Sequence, residues 1–123
     1  MDFCSRPRQT PRFSGLVRAV SELAVPFSVS VQADNGAVIA AIAGDLDLAT
    51  GPAVKDNLRP FLDRGVRVVY ELEQVDFIDS SGLESLFEAV ENDESIVFRN
   101  PSWSVRRIVE LLDISVRVEE TAL

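Results

Sequence analysis

A run of seven consecutive apolar residues, at positions 37–43, most restricts what this chain can fold into. It is the longest such run in the sequence and is far too short to span a bilayer, so it predicts a buried strand. A strong turn sequence, DNG at positions 34–36, precedes it. Before that turn, Phe27, Val29 and Val31 alternate with polar residues, which is typical of a half-buried strand. We therefore predict that the two strands form an antiparallel hairpin.

The middle of the chain alternates helix and strand patterns. Thr50 and Pro52 mark the start of a first helix, which Pro60 is expected to kink or divide. Residues 66–72 are rich in β-branched and aromatic side chains and predict a central strand, followed by a loop over residues 73–79.

The last part of the chain continues this alternation. Its patterns predict a second helix over residues 81–90, a short strand over 96–98, a third helix starting at 100–102, and a final strand around Val116 and Val118. Two strands followed by alternating helices and strands predict a single α/β domain with a small mixed sheet.

Composition excludes several classes of function. The 123 residues fit one domain, and the net charge of −8 argues against binding to nucleic-acid phosphates or to an anionic membrane. Because the chain has no His and a single Cys, it cannot form an internal disulfide, a Cys/His zinc site or a His-based catalytic triad. The lone Cys4 fits a reduced, cytoplasmic compartment.

The charge is distributed unevenly along the chain. Residues 1–24 have a net charge of +2, whereas residues 25–123 have a net charge of −10. Nine acidic residues and no basic ones fall within 71–94, which suggests either a solvated helix face or a surface that meets a basic partner. Residues 1–11 are predicted to be a tail, followed by a short amphipathic helix with Leu16, Val20 and Leu23 on one face.

Two acidic residues after the buried strand form the first candidate site. Asp45 and Asp47 have the D-x-D spacing that haloacid-type phosphatases use around Mg²⁺. That chemistry needs a later Lys, and the only Lys here is Lys55. The alternative is a loop whose acids cap the following helix.

Residues 76–83, with the sequence DFIDSSGL, form the second candidate site. Ser81 and Glu84 have capping-box spacing, which leaves the Ser80 hydroxyl free just outside the helix. Gly82 would keep the first helical turn narrow enough for a partner to approach its backbone. A free serine at a helix start is a good phosphoacceptor, and a phosphate there would sharply change the local charge. The alternative is an ordinary capped loop between a strand and a helix.

The same residues resemble the signature of the anti-sigma factor antagonists, which are members of the STAS domain family. Three other stretches agree with this resemblance: the sequence GDLD at 44–47 through Ala53, the strand at 66–72 and the helix over 100–112. The resemblance covers residues 26–120. It implies a small mixed sheet with helices packed mainly on one side, in a STAS domain over 26–123 that follows an extension over 1–25.

The family also implies a function. Such a protein is a non-enzymatic bacterial regulator of transcription that binds an anti-sigma factor and thereby frees the sigma factor. The anti-sigma factor is itself a serine kinase, holds the ATP and Mg²⁺, and phosphorylates the residue that maps to Ser80; a serine phosphatase restores it. The family implies no cofactor, and we expect a monomer when free. Residues expected to face the partner are Asp45, Asp47, Asp79, Ser81, Gly82 and Glu84.

Two other functions remain open at this stage. A constitutive STAS scaffold, or an accessory domain of a transporter, would bind its partner without phosphorylation. The unusually acidic second helix and the N-terminal extension favour that alternative, whereas the serine motif argues against it. The third alternative is a phosphatase that uses Asp45 and Asp47.

Overall fold

A mixed sheet whose strands lie in chain order forms the frame of the computed structural model, which describes residues 27–62, 66–90 and 93–121. Within these residues β1 and β2 are antiparallel, and β2, β3, β4 and β5 are mutually parallel. The strands are β1 (Ser28–Asp34), β2 (Ala37–Leu46), β3 (Arg67–Ile78), β4 (Ile96–Arg99) and β5 (Arg117–Glu119).

Each parallel connection contains one helix. These are α1 (Gly51–Leu58), α2 (Ser80–Glu88) and α3 (Trp103–Leu111). Connections between parallel strands are right-handed. Because β2, β3, β4 and β5 follow one another in the same direction across the sheet, their connecting helices lie on the same face. The predicted α/β domain with helices packed on one side is therefore confirmed. None of the helices in the described ranges is long and apolar enough to cross a membrane.

The hairpin forms as its turn sequence predicts. Asn35 and Gly36 have φ angles of 50° and 79°, and Asp34 pairs with Ala37 across the turn. Two successive residues with positive φ are typical of the turns that match the twist of paired strands. Pro60 also has the predicted effect, because α1 ends at Leu58 and a single 3₁₀ turn, Arg59–Phe61, follows.

The core lies between the sheet and the helices. Alternate residues of β2 face it, and the parallel register places Val38 beside Val68 and Ala40 beside Tyr70. The Tyr70 hydroxyl donates a 2.7 Å hydrogen bond to the carbonyl oxygen of Leu86 in α2, so the one polar atom of this side chain is satisfied. The Tyr70 ring meets the Phe98 ring edge-on at a centroid distance of 6.1 Å.

The predicted loop over residues 73–79 is wrong, because β3 continues to Ile78. Its register against β2 shifts twice: Ala43 pairs with Gln74, and Asp45 pairs with Phe77. Each shift inserts an extra residue into β3. The side chains of Glu73, Gln74 and Asp76 are exposed as a result, whereas Val75 and Ile78 still reach the core. These bulges interrupt the period-two pattern that sequence reasoning relies on. The predicted N-terminal tail and amphipathic helix lie outside the described residues.

The start of α2 packs directly on the end of β2. A Cβ atom at Gly82 would lie 2.1 Å from the carbonyl oxygen of Leu46, so only glycine fits there. A second close contact joins α1 to α2, because a Cβ atom at Gly51 of α1 would lie 2.1 Å from the Ser85 Oγ of α2. Ser85 Oγ donates to the Ser81 carbonyl at 3.0 Å within α2. These contacts position the loop between β3 and α2.

Alkaline pH should destabilise the domain through Tyr70, the only tyrosine of the chain. Burial raises the pKa of the Tyr70 phenol well above its ordinary value. The stability that depends on the neutral phenol is therefore complete below the unfolded pKa of about 10 and is lost as the pH rises toward the folded value. Urea unfolding at about pH 8 and about pH 11 measures the loss, and the tyrosinate absorbance identifies the group.

The Tyr70→Phe variant is the control for this prediction. It should be less stable by about 1 kcal/mol at neutral pH, because it leaves the Leu86 carbonyl without its donor. Its unfolding free energy should fall less than that of the unmodified protein between the two pH values. An equal fall in both proteins would show that other groups cause the alkaline loss.

Replacing Gly82 should destabilise the domain more than replacing its neighbour. Gly82→Ala forces a methyl group against a backbone oxygen, which costs about 1–3 kcal/mol of unfolding free energy. Ser81→Ala is the matched control, because the Ser81 hydroxyl makes no hydrogen bond within the described part of the chain. Urea titration followed by circular dichroism measures both. Equal midpoints for the two variants would contradict the close contact.

Candidate functional site

The two sequence motifs meet at one edge of the sheet. Parallel strands end at the same edge, so the loop after β2 and the start of α2 lie side by side at the carboxyl ends of β2 and β3. The backbone amide of Asp79 donates to the carbonyl oxygen of Leu46 at 3.4 Å and joins them directly. The GDLD and DSSG motifs, more than thirty residues apart in the chain, therefore form one surface.

The predicted capping box is wrong. Asp79, not Ser81, caps α2: its Oδ1 accepts a 2.8 Å hydrogen bond from the Gly82 amide. An aspartate satisfies the free amides of a helix start as well as a serine does, so the helix begins one residue earlier than predicted. The Asp79 side chain is half-buried and holds the helix start in place.

Ser80 is therefore the first residue of α2. Its side chain is exposed, and its hydroxyl makes no hydrogen bond within the described part of the chain. Glu84 follows four residues later, so the two exposed side chains are neighbours on the same helix face. This free hydroxyl on a firmly capped helix agrees with the prediction that Ser80 is accessible.

Asp47 organises the loop after β2. Its Oδ1 accepts from the amides of Ala49 and Thr50 at 3.0 and 3.1 Å. The Thr50 hydroxyl donates to the Asp45 carbonyl at 2.8 Å and accepts from the Asp47 amide at 2.9 Å. Thr50 precedes α1 as predicted, but its hydroxyl closes this loop instead of capping the helix.

Asp45 and Gly82 have different surroundings. The half-buried Asp45 carboxylate has no hydrogen bond or ion pair among the described residues, whereas its backbone pairs with Phe77. Gly82 is buried, and the close approach that its missing side chain allows is made by Leu46 of the same chain. The described residues bring no three potential metal ligands together.

The acidic residues of the 71–94 segment do not all contribute to one surface. Glu88 forms a 2.7 Å ion pair with Lys55 of α1. Glu71 lies on the far side of the sheet, 3.3 Å from an Arg99 nitrogen. The exposed acids of this segment nearest the DSSG motif are Asp76 and Glu84. The acidic surface near Ser80 is therefore smaller than the sequence suggests.

Three exposed apolar side chains at this edge were not predicted. Leu48, Phe77 and Trp103 are 76%, 49% and 71% exposed. Leu48 follows Asp47, and Phe77 pairs with Asp45. Trp103 begins α3, where the hydroxyl of the next residue, Ser104, donates to the Asp76 carbonyl at 2.8 Å.

Sequence reasoning treats apolar residues as core, which is why it missed these three. A weak signal was present, because Phe77 and Trp103 stand outside the apolar spacings of their own segments. The Arg107 guanidinium lies 5.4 Å from the centre of the Trp103 ring and helps to hold the ring in place. Large exposed apolar side chains on one edge are typical of a protein-binding surface.

Solved structures with the same fold are available for comparison. An anti-sigma factor antagonist from Mycobacterium paratuberculosis matches with a TM-score of 0.65 and 20% identity, over 78% of this chain and 87% of that one. The anti-sigma factor antagonist SpoIIAA in its unphosphorylated form matches with a TM-score of 0.62 and 17% identity, over 77% and 89%. The Bacillus cell fate determinant SpoIIAA in its phosphorylated form matches with a TM-score of 0.58 and 16% identity, over 79% and 92%.

These likenesses establish the fold. No curated protein sequence matches this chain. A family model does match, and it covers residues 28–121, which include both motifs of the site and every strand of the described sheet. The chain therefore belongs to the STAS domain family.

Proposed function

We propose that this STAS domain is an antagonist of an anti-sigma factor and that phosphorylation of Ser80 switches it off. The observation that carries the proposal is the free, exposed Ser80 hydroxyl at the first position of a firmly capped helix. Structures with this fold have been solved for anti-sigma factor antagonists, one of them in both unphosphorylated and phosphorylated forms. The proposal extends that pattern to this chain.

The unphosphorylated surface offers the partner an apolar centre with acidic neighbours. Leu48, Phe77 and Trp103 are the exposed groups that gain most from being removed from water. Asp76 precedes Phe77 in β3 and Glu84 lies on α2 with Ser80, and both exposed acids favour a basic face on the partner. Asp45, Asp79, Ser81 and Gly82 hold or frame this surface, and Asp47 keeps the loop that carries Leu48 in its shape.

The proposed switch is a phosphoryl transfer carried out by the partner. The Ser80 Oγ attacks the γ-phosphorus of the ATP that the partner kinase holds with Mg²⁺, and the bond to the β-phosphate oxygen breaks. ADP leaves, and the hydroxyl proton passes to a base of the kinase. A serine phosphatase later adds water to the phosphoserine, which releases inorganic phosphate and restores the hydroxyl.

The phosphate changes binding without unfolding the domain. It adds about −1.5 to −2 charges next to Glu84, and this bulky charged group must lose much of its water if the partner is to pack closely around position 80. The start of α2 tolerates the charge, because the helix dipole favours an anion there. The cap from Asp79 to Gly82 does not involve the Ser80 hydroxyl, so the helix start keeps its geometry.

Incubation with the kinase partner and Mg²⁺–ATP should place one phosphate on this chain, at Ser80. The partner can be identified by co-purification in the presence of Mg²⁺–ATP, and mass spectrometry identifies the modified residue. Ser80→Ala should abolish incorporation, whereas Ser81→Ala, at the next position of the same helical turn, should keep it. Incorporation that persists in Ser80→Ala would exclude this serine as the acceptor.

Binding to the anti-sigma factor should depend on both charge and apolar contact. Ser80→Asp should weaken binding by more than about tenfold, or about 1.4 kcal/mol, because a larger charged side chain must lose its water where the partner packs closely around the small hydroxyl. Leu48→Asp should weaken it by at least as much, because it removes an exposed anchor. Titration calorimetry measures both affinities.

Leu111→Asp is the matched control for the binding measurement. Leu111 is also exposed, by 69%, but it lies at the far end of α3. Its replacement should leave the affinity unchanged. If all three variants bind as the unmodified protein does, the docking surface lies elsewhere. Binding that responds to Leu48→Asp but not to Ser80→Asp would instead favour a constitutive STAS scaffold.

A further inference from the structure

The face of the sheet opposite the helices has an apolar centre. We call it the outer face and define that centre by Ile39 of β2, Val69 of β3 and Val97 of β4, which the register places side by side. The described helices place their buried residues in the core cluster on the other face. No described helix covers the outer face.

Val69 and Val97 are nevertheless only 2% and 1% exposed, although neither belongs to the core cluster. Valine side chains on an uncovered sheet face normally keep part of their surface in contact with water. Sheets made only of parallel strands are found almost only with both faces covered. The parallel part of this sheet, β2 to β5, therefore calls for a second covering layer.

The chain itself supplies a segment of suitable length. Twenty-six residues precede Phe27, the first described residue, and Phe27 leads directly into β1 at the edge of the outer face. Within that segment Leu16, Val20 and Leu23 recur at helical spacing, so a helix there would have one apolar face. A helix over residues 16–24 is about 14 Å long and reaches across roughly three strands spaced about 4.8 Å apart.

Acidic residues lie at the end of the outer face where β1 begins, and the net charge of residues 1–26 is positive. A shallow concavity of about 310 Å³ lies beside β1, lined by small side chains including Ser30 and Ala41 and by Glu71 and Glu73. Residues 1–26 carry four arginines and two acids, of which residues 16–24 hold Arg18 and Glu22. The remaining charged groups are Arg67 and Arg117 at the far end and Arg99, which lies between Glu71 and Glu119.

We propose that residues 16–24 dock on the outer face as an amphipathic helix and cover Ile39, Val69 and Val97. The occupant is a segment of the same chain, attached at the edge of the surface it covers. The family model begins at residue 28, so this layer is an addition to the STAS domain and not a part of it. The proposal does not depend on the proposed function, because the outer face lies away from Ser80.

Chemical labelling of a cysteine on the outer face tests this proposal. In full-length Cys4→Ser protein, Ile39→Cys introduces the reporter, and Asn57→Cys on the exposed side of α1 provides a reference. The measurement is the rate of reaction with a maleimide. Replacing Leu16, Val20 and Leu23 together by Asp should raise the rate at position 39 by about tenfold, which corresponds to about 1.4 kcal/mol of docking free energy.

Three further measurements make the outcome decisive. A control triple variant, Gln9→Asp, Ser14→Asp and Ser21→Asp, adds the same charge away from the apolar spacing and should leave both rates unchanged. If circular dichroism shows that the variant with Asp at positions 16, 20 and 23 is unfolded, the single variant Val20→Asp replaces it in the rate measurement. The rate at position 39 should not depend on protein concentration. An unchanged rate in the folded apolar variants would overturn the proposal. A rate that rises on dilution would also overturn it, because a second copy would then be the cover.

Discussion

The contact between the start of α2 and the end of β2 is the constraint on which the site depends. Gly82 lets the helix approach the Leu46 carbonyl, and the Asp79 amide donates to that same oxygen. The Asp79 side chain then caps the helix by accepting from the Gly82 amide. A larger residue at position 82 would separate the two motifs. Their union into one surface therefore rests on one missing side chain and two hydrogen bonds.

The residues that hold the site in shape are different from the residue whose hydroxyl is free to react. Asp79, Gly82 and Asp47 are engaged in backbone contacts, so they hold the loops in a single shape. Ser80 is held by those contacts yet keeps its own hydroxyl unengaged. Such a group can gain a phosphate while the helix keeps its cap. A change at Ser80 then acts on the surface potential and on the accessible apolar side chains, which is what a binding switch requires.

Much of the fold follows from local sequence patterns, and the errors have specific physical causes. The DNG turn and the apolar run after it predict the hairpin, because both signals act over a few residues. Sequence patterns predict the end of β3 too early, because two bulges turn Glu73 and Asp76 outward without ending the strand. Sequence reasoning assigns the cap to Ser81 because Ser81 and Glu84 have capping-box spacing, but Asp79 is also a favoured N-cap residue. The exposure of Leu48 has no sequence signal, and that of Phe77 and Trp103 has only a weak one.

Local sequence patterns alone predict the order of strands and helices, the hairpin, and the position of the DSSG motif between a strand and a helix. Periodicity and turn chemistry involve neighbouring residues, so the sequence carries this information directly. The residue that caps α2 and the pairing of the acids, as in Glu88 with Lys55 and Glu71 with Arg99, depend instead on the folded arrangement of the chain. The same arrangement decides which apolar side chains remain at the surface. Those outcomes depend on contacts between residues distant in the chain, and such contacts exist only once the sheet has brought them together.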